Sequence, residues 1–116
     1  MDRRKELKEK YKQMKPDMGI LAIRSKVNNK YYIETTQDLK SMINRTKFTL
    51  GFGSHLNKEL QKEWKEHGEA SFIIEILENL EYDKDESKTD YTEDLTLLQM
   101  VWEEKLLKQK VEFYKK

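Results

Sequence analysis

The side chains that could do chemistry gather in residues 31–48, YYIETTQDLKSMINRTKF. Two phenols open the stretch. A carboxylate, Glu34, stands where the apolar run ends, and a guanidinium, Arg45, follows on the next segment. A carboxylate can hold a hard cation, and a guanidinium is the better fork for a phosphate. With 4 Arg against 19 Lys, each Arg has to be weighed. His55 could move a proton near neutral pH. It precedes a helical pattern, however, where capping and turn formation are the ordinary roles. Met42 lies in the middle of the segment, and its ordinary role is core packing with Leu39 and Ile43. The chain has no cysteine, which excludes thiolate chemistry and a disulfide framework.

These side chains must be held by elements that the hydrophobic pattern outlines. Arg3–Met14 reads as a helix with a narrow stripe of Leu7, Tyr11 and Met14, broken at Pro16. MGILAIR, residues 18–24, reads as a strand buried on both faces. Asn28 and Asn29 suit positive φ in a tight turn, and Tyr31–Ile33 returns antiparallel. Thr36 can cap a helix over 37–47, with Asp38 in its first turn. Gly51 and Gly53 break the chain before a second helix over 57–67, which Gly68 stops. SFIIEIL, residues 71–77, alternates as a third, central strand. An acidic loop over 81–90 precedes the longest helix, 92–108, whose stripe is Leu95, Leu98, Gln99, Trp102 and Leu106; residues 109–116 form a tail. The expected architecture is α+β: a small three-stranded antiparallel sheet flanked by helices, plus an N-terminal helix. The expected division is an amphipathic helix over 1–16 and a domain over 17–116.

Composition narrows the function classes. Of the 116 residues, 36% are apolar and 39% charged, so the core is small and the surface densely ionic. Net charge is +1, but it is unevenly placed. Residues 1–68 carry 16 basic against 9 acidic side chains, and residues 69–104 carry 2 against 12. A phosphate-bearing partner would be drawn to the first region and repelled by the second. No signal peptide or membrane-length apolar run is visible, so a cytoplasmic protein without membrane association is expected.

Three runs together resemble a GIY-YIG nuclease domain across residues 18–106: MGILAIRSKVNNKYYIETTQDLK, GSHLNKELQKEWKEHGEASFIIEILENL and LLQMVWEEKL. The N-terminal helix lies outside the resemblance and is associated with small bacterial proteins of that family. The resemblance implies the sheet-and-helix fold above and metal-assisted hydrolysis of a DNA phosphodiester. It also implies a tyrosine on each hairpin strand, an arginine on the first helix, a histidine after it and a metal-binding glutamate on the last helix. Those positions fall on Leu21, Tyr32, Met42, His55 and Gln99, while the glycine after the second tyrosine falls on Glu34. Arg45 matches a basic position one turn past the catalytic one. Tyr32 and His55 thus persist, and three charge- or proton-handling positions are apolar or neutral.

The site therefore reads as vestigial, comprising Leu21, Tyr32, Glu34, Met42, Arg45, His55 and Gln99. The expected protein is a pseudoenzyme: a binding module on a nuclease scaffold, taking a protein partner or, more weakly and without sequence specificity, DNA. No metal or other cofactor is expected. If the protein is instead an active endonuclease with a rearranged site, magnesium or manganese is implied, held by Glu34 or Gln99 or with help from a flanking acid such as Glu103. Glu103 and Glu104 are expected to face away from the apolar stripe. The chain is expected to be a monomer, or a dimer through the N-terminal helix.

Overall fold

The computed structural model describes residues 15–115. The expected N-terminal helix lies outside the described residues. The elements are β1 (Met18–Ser25), β2 (Lys30–Thr36), α1 (Leu39–Phe52), α2 (Lys58–His67), β3 (Phe72–Leu80), α3 (Thr92–Lys108) and β4 (Glu112–Phe113). A single 3₁₀ turn, Glu69–Ser71, leads into β3. Among the described residues no helix is long and apolar enough to cross a membrane.

The sheet corrects the sequence reading. It has four strands in the order β3-β1-β2-β4, and it is mixed rather than three-stranded and antiparallel. β1 is antiparallel to both β2 and β3, whereas β4 runs parallel to β2 through Lys30–Glu112 and Tyr31–Phe113. β3, expected at the centre, is an edge strand, and β1 holds the interior. That position explains why every residue of MGILAI is buried: helices cover both faces. Leu21 and Ile23 point to one cluster with Leu39, Leu50, Leu60 and Trp64 of α1 and α2. Ile20 and Ala22 point to the other, with Leu95, Leu98 and Leu106 of α3. Gly19 is needed because β3 passes so closely that a Cβ there would collide with the Glu78 carbonyl.

Local caps move two boundaries. Asp38, not Thr36, caps α1, its Oδ1 accepting from the Ser41 N–H at 3.1 Å. Thr36 Oγ1 instead accepts from the Asp38 N–H at 3.0 Å. α1 then runs past Gly51 and stops at Gly53, whose φ of 80° only glycine adopts at little cost. In the hairpin only Asn29 takes positive φ, 58°. The turn is longer than a two-residue loop, closed by the Asn29 N–H on the Ser25 carbonyl at 3.0 Å. α2 begins after Asn57 and stops at Gly68, and α3 spans Thr92–Lys108, both as the pattern implies.

Candidate functional site

β2 alternates across the sheet, so Tyr32 and Glu34 face α1 while Tyr31 and Ile33 face α3. On α1 the side chains of Met42, Arg45, Thr46 and Thr49 recur at the spacing of one helical face and meet Tyr32 and Glu34. The loop after Gly53 adds Ser54, His55 and Leu56. Together these residues enclose a cavity of about 230 Å³. Five of the seven sequence-derived positions, Tyr32, Glu34, Met42, Arg45 and His55, thus line one cavity.

His55 is held by a polar lock. Its N–H donates to Gln61 Oε1 at 3.0 Å, and Gln61 Nε2 donates to the Leu50 carbonyl at 2.9 Å. The Asn57 N–H donates to His55 Nδ1 at 3.0 Å, so the neutral ring carries its hydrogen on Nε2. Asn57 Oδ1 in turn accepts from the Leu60 N–H and caps α2. The imidazole meets the Tyr32 ring edge-on, centroids 5.2 Å apart. Burial pushes the His55 pKa below its ordinary value.

Tyr32 and Glu34 perturb one another. Burial, then the Glu34 charge and the hydrogen bond between them, push the Tyr32 phenol up to about 12. The phenol therefore stays protonated beside the carboxylate. Burial also raises the Glu34 carboxyl, opposed by the Arg45 charge and by the Tyr32 hydrogen bond. Arg45 is itself exposed and reaches the cavity from one turn beyond Met42.

The other two positions lie elsewhere. Leu21 pairs with Glu34 in the ladder but is fully buried beneath it. Gln99 lies across the sheet, in a second cavity of about 270 Å³ walled by Tyr31, Ile33, Glu103, Leu107, Phe113 and Tyr114 and shared with Tyr32. There Gln99 Nε2 donates to Glu103 Oε1 at 3.2 Å. Glu103 therefore turns into the cavity beside Gln99, whereas Glu104 is exposed. The sequence reading did not find Glu103 in this wall, nor the hydroxyls of Thr49 and Ser54 in the first. The signal was available: Thr46 and Thr49 stand four and seven residues past Met42, on the same helical face.

A divalent metal, which the family resemblance implies, does not fit this donor set. The described residues contain no cluster of three or more His, Cys, Asp or Glu side chains able to hold a metal ion. Each cavity offers one carboxylate. That of Glu34 is engaged by Tyr32 and faces Arg45, and that of Glu103 accepts from Gln99. His55 Nδ1 is already an acceptor.

A small mixed sheet flanked by three helices, with a hairpin tyrosine and a histidine meeting on one face, defines a nuclease-type domain, and the chain belongs to the GIY-YIG nuclease family. It is similar to the catalytic domain of the homing endonuclease I-TevI, at 26% identity and a TM-score of 0.64 over 85% of this chain and 99% of that one. A mutant of the same catalytic domain, described as that of an intron endonuclease, matches at 30% identity and a TM-score of 0.52, over 69% of this chain and 84% of that one. No family model and no curated protein matches the chain.

Proposed function

We propose that this domain is a binding module on a GIY-YIG scaffold that does not cleave DNA. The observation that carries the reading is the wall of the first cavity. Where a phosphate would be held it presents the thioether of Met42, and its one carboxylate is that of Glu34. Two like charges about 4 Å apart repel by roughly 4 kcal/mol at an effective dielectric near 20. Glu34 therefore works against an incoming phosphate.

A protein ligand is favoured over duplex DNA. Phe48 and Phe52 stack at 4.7 Å on the exposed side of α1, and Leu56 stands exposed on the cavity wall. Exposed aromatics beside an arginine have the composition of a protein interface core. One observation supports a second reading, a metal-dependent endonuclease with a rearranged site: Arg45 shares the cavity with Tyr32, Glu34 and His55. Incubation of supercoiled plasmid with the protein and magnesium or manganese separates the two. The expected outcome is no nicking. Metal-dependent nicking that is lost in Glu34→Gln or Tyr32→Phe overturns the proposal and establishes the endonuclease.

A further inference from the structure

The turn that ends α3 sends residues 109–115 across the edge of β2. The Lys110 N–H donates to the Leu107 carbonyl at 2.9 Å and the Val111 N–H to the Leu106 carbonyl at 3.0 Å, the paired bonds of a helix end that favours glycine at its left-handed residue. Lys110 stands there instead, with φ of 61°. A side chain in this conformation strains the turn. β4 follows and meets β2 at two residues only, whereas β1 and β2 are matched over six. Tyr114 is 4% exposed, yet its hydroxyl has no hydrogen-bond partner among the described residues, and neither has the buried Glu63 Oε2. Unpaired buried polar groups, a strained turn and a two-residue ladder all weaken the docked strap relative to the rest of the sheet.

What the strap touches ties it to both cavities. On the α3 side, Phe113 and Tyr114 wall the cavity that holds Gln99. On the α2 side, the Lys115 N–H donates to Glu59 Oε2 at 3.3 Å, and the Lys115 carbonyl accepts from Asn57 Nδ2 at 3.1 Å. Asn57 is also the residue whose backbone N–H donates to His55 Nδ1 and whose Oδ1 caps α2. One residue therefore anchors the strap, the helix and the imidazole. We propose that residues 109–115 are a latch that opens locally while the rest of the sheet stays paired. Docked, the latch closes the Gln99 cavity and, through Asn57, fixes the His55 ring with its hydrogen on Nε2. Undocked, it bares the β2 edge from Lys30 onward and frees one of the bonds that hold Asn57. This inference rests on these contacts and is independent of whether the domain cleaves DNA or binds a protein.

Amide hydrogen exchange of the full chain tests the opening. The Tyr114 and Lys115 amides should exchange roughly a hundredfold faster than those of the interior strand β1. Lys110→Gly, which relieves the turn, should slow them about fivefold. Equal rates in the strap and in β1 overturn the latch, because the strap then opens only with the whole fold. The coupling is read on the His55 ring by nitrogen-15 NMR at alkaline pH, with His67→Gln assigning the signals of the two histidines. In the wild type, Nδ1 should carry no hydrogen. In Tyr114→Ala, which removes the ring that seats the strap, the Nδ1 resonance should move toward that of a ring sharing its hydrogen between both nitrogens. An unmoved resonance in a folded Tyr114→Ala chain overturns the coupling. A Tyr114→Ala chain that does not fold overturns the latch, since a latch is dispensable to the fold it closes.

Discussion

The two cavities that share Tyr32 are built from opposite faces of one strand, and they differ in what closes them. On the α1 side, a helical row of Met42, Arg45, Thr46 and Thr49 faces a loop whose histidine is locked by Gln61 and Asn57. On the α3 side, the lid is β4, which pairs with β2 only at Lys30 and Tyr31. From Tyr32 onward the outer edge of β2 is uncovered among the described residues, and there the two cavities meet. The charges follow the division. α1 carries Lys40, Arg45 and Lys47 and no carboxylate, whereas α3 carries Glu93, Asp94, Glu103 and Glu104 against Lys105 and Lys108. The positions that the resemblance assigns to the phosphate-holding arginine and the metal-binding glutamate, Met42 and Gln99, therefore stand on opposite sides of the sheet.

The strongest way to break this comparison is to rebuild both sides. Met42→Arg with Gln99→Glu supplies a guanidinium on the α1 side and a carboxylate on the α3 side. The double variant should still leave plasmid uncut in magnesium, because Glu34 remains at the meeting point and its repulsion is worth roughly 4 kcal/mol. Adding Glu34→Gly should release nicking by on the order of 10³, the same energy read as a rate. Thermal melts should confirm that both variants fold. Nicking by the double variant alone would place Glu34 clear of the substrate path.

How much of this was legible beforehand varies by element. α2 and α3 showed their bounds because Asn57 and Gly68 mark the ends of one, and a long 3.6-residue apolar period marks the other. β1 announced its burial through a continuous apolar run. The sheet order was not legible, since pairing partners are a tertiary choice that alternation in β3 does not encode. β4 was invisible because two residues make no period; it is seated by Tyr114, buried against the α2 side, and by the Tyr114 N–H on the Tyr31 carbonyl at 3.0 Å. In the site, five of the positions implied by the resemblance line one cavity on the α1 side. It did not reveal that Gln99 is across the sheet, because the face that α3 covers is a tertiary choice. Thr36 and Asp38 are both residue types that cap well, and only the hydrogen bonds separate them.

A smaller effect tests the α1-side cavity by itself, through pH. The Glu34 carboxyl has a folded pKa above its ordinary 4.5, so the folded chain binds more protons than the unfolded one just above that value. Its contribution to stability is present below pH 4.5 and is lost as pH rises through the folded pKa. His55 has a folded pKa below its ordinary 6.5, so here the unfolded chain binds more protons. Its contribution is present above pH 6.5 and is lost as pH falls toward the folded pKa. The two slopes oppose one another between pH 4.5 and 6.5. Urea midpoints of the wild type should vary little across that window on account of this pair. Glu34→Gln should expose a stability that rises with pH, and His55→Gln one that falls. Parallel profiles in all three proteins would show that the two groups are not buried together.

The smallest effect concerns duplex DNA, and it sharpens the electrostatic side of the comparison. If a duplex docks at all, it should take the α1 side, where Lys40, Arg45 and Lys47 meet no acid of their own helix, and avoid α3. About four phosphate contacts would give a log-affinity against log-salt slope near −3.6, with Kd on the order of 10⁻⁴–10⁻⁶ M at physiological salt. Each cation that contacts a phosphate contributes about 0.9 to that slope. Arg45→Ala should therefore flatten it by about that amount, whereas Lys105→Ala, on α3 and stacked over Trp102 at 4.8 Å, should leave it unchanged. Base readout is not expected, since Arg45 is the only arginine on α1. Fluorescence anisotropy with a labelled duplex, run across a salt series, reads both quantities. Nanomolar affinity near 150 mM salt, far tighter than nonspecific contacts supply, would reverse the preference for a protein ligand. A slope that responds to Lys105→Ala instead of Arg45→Ala would put the duplex on α3 and undo the division of charge between the two sides.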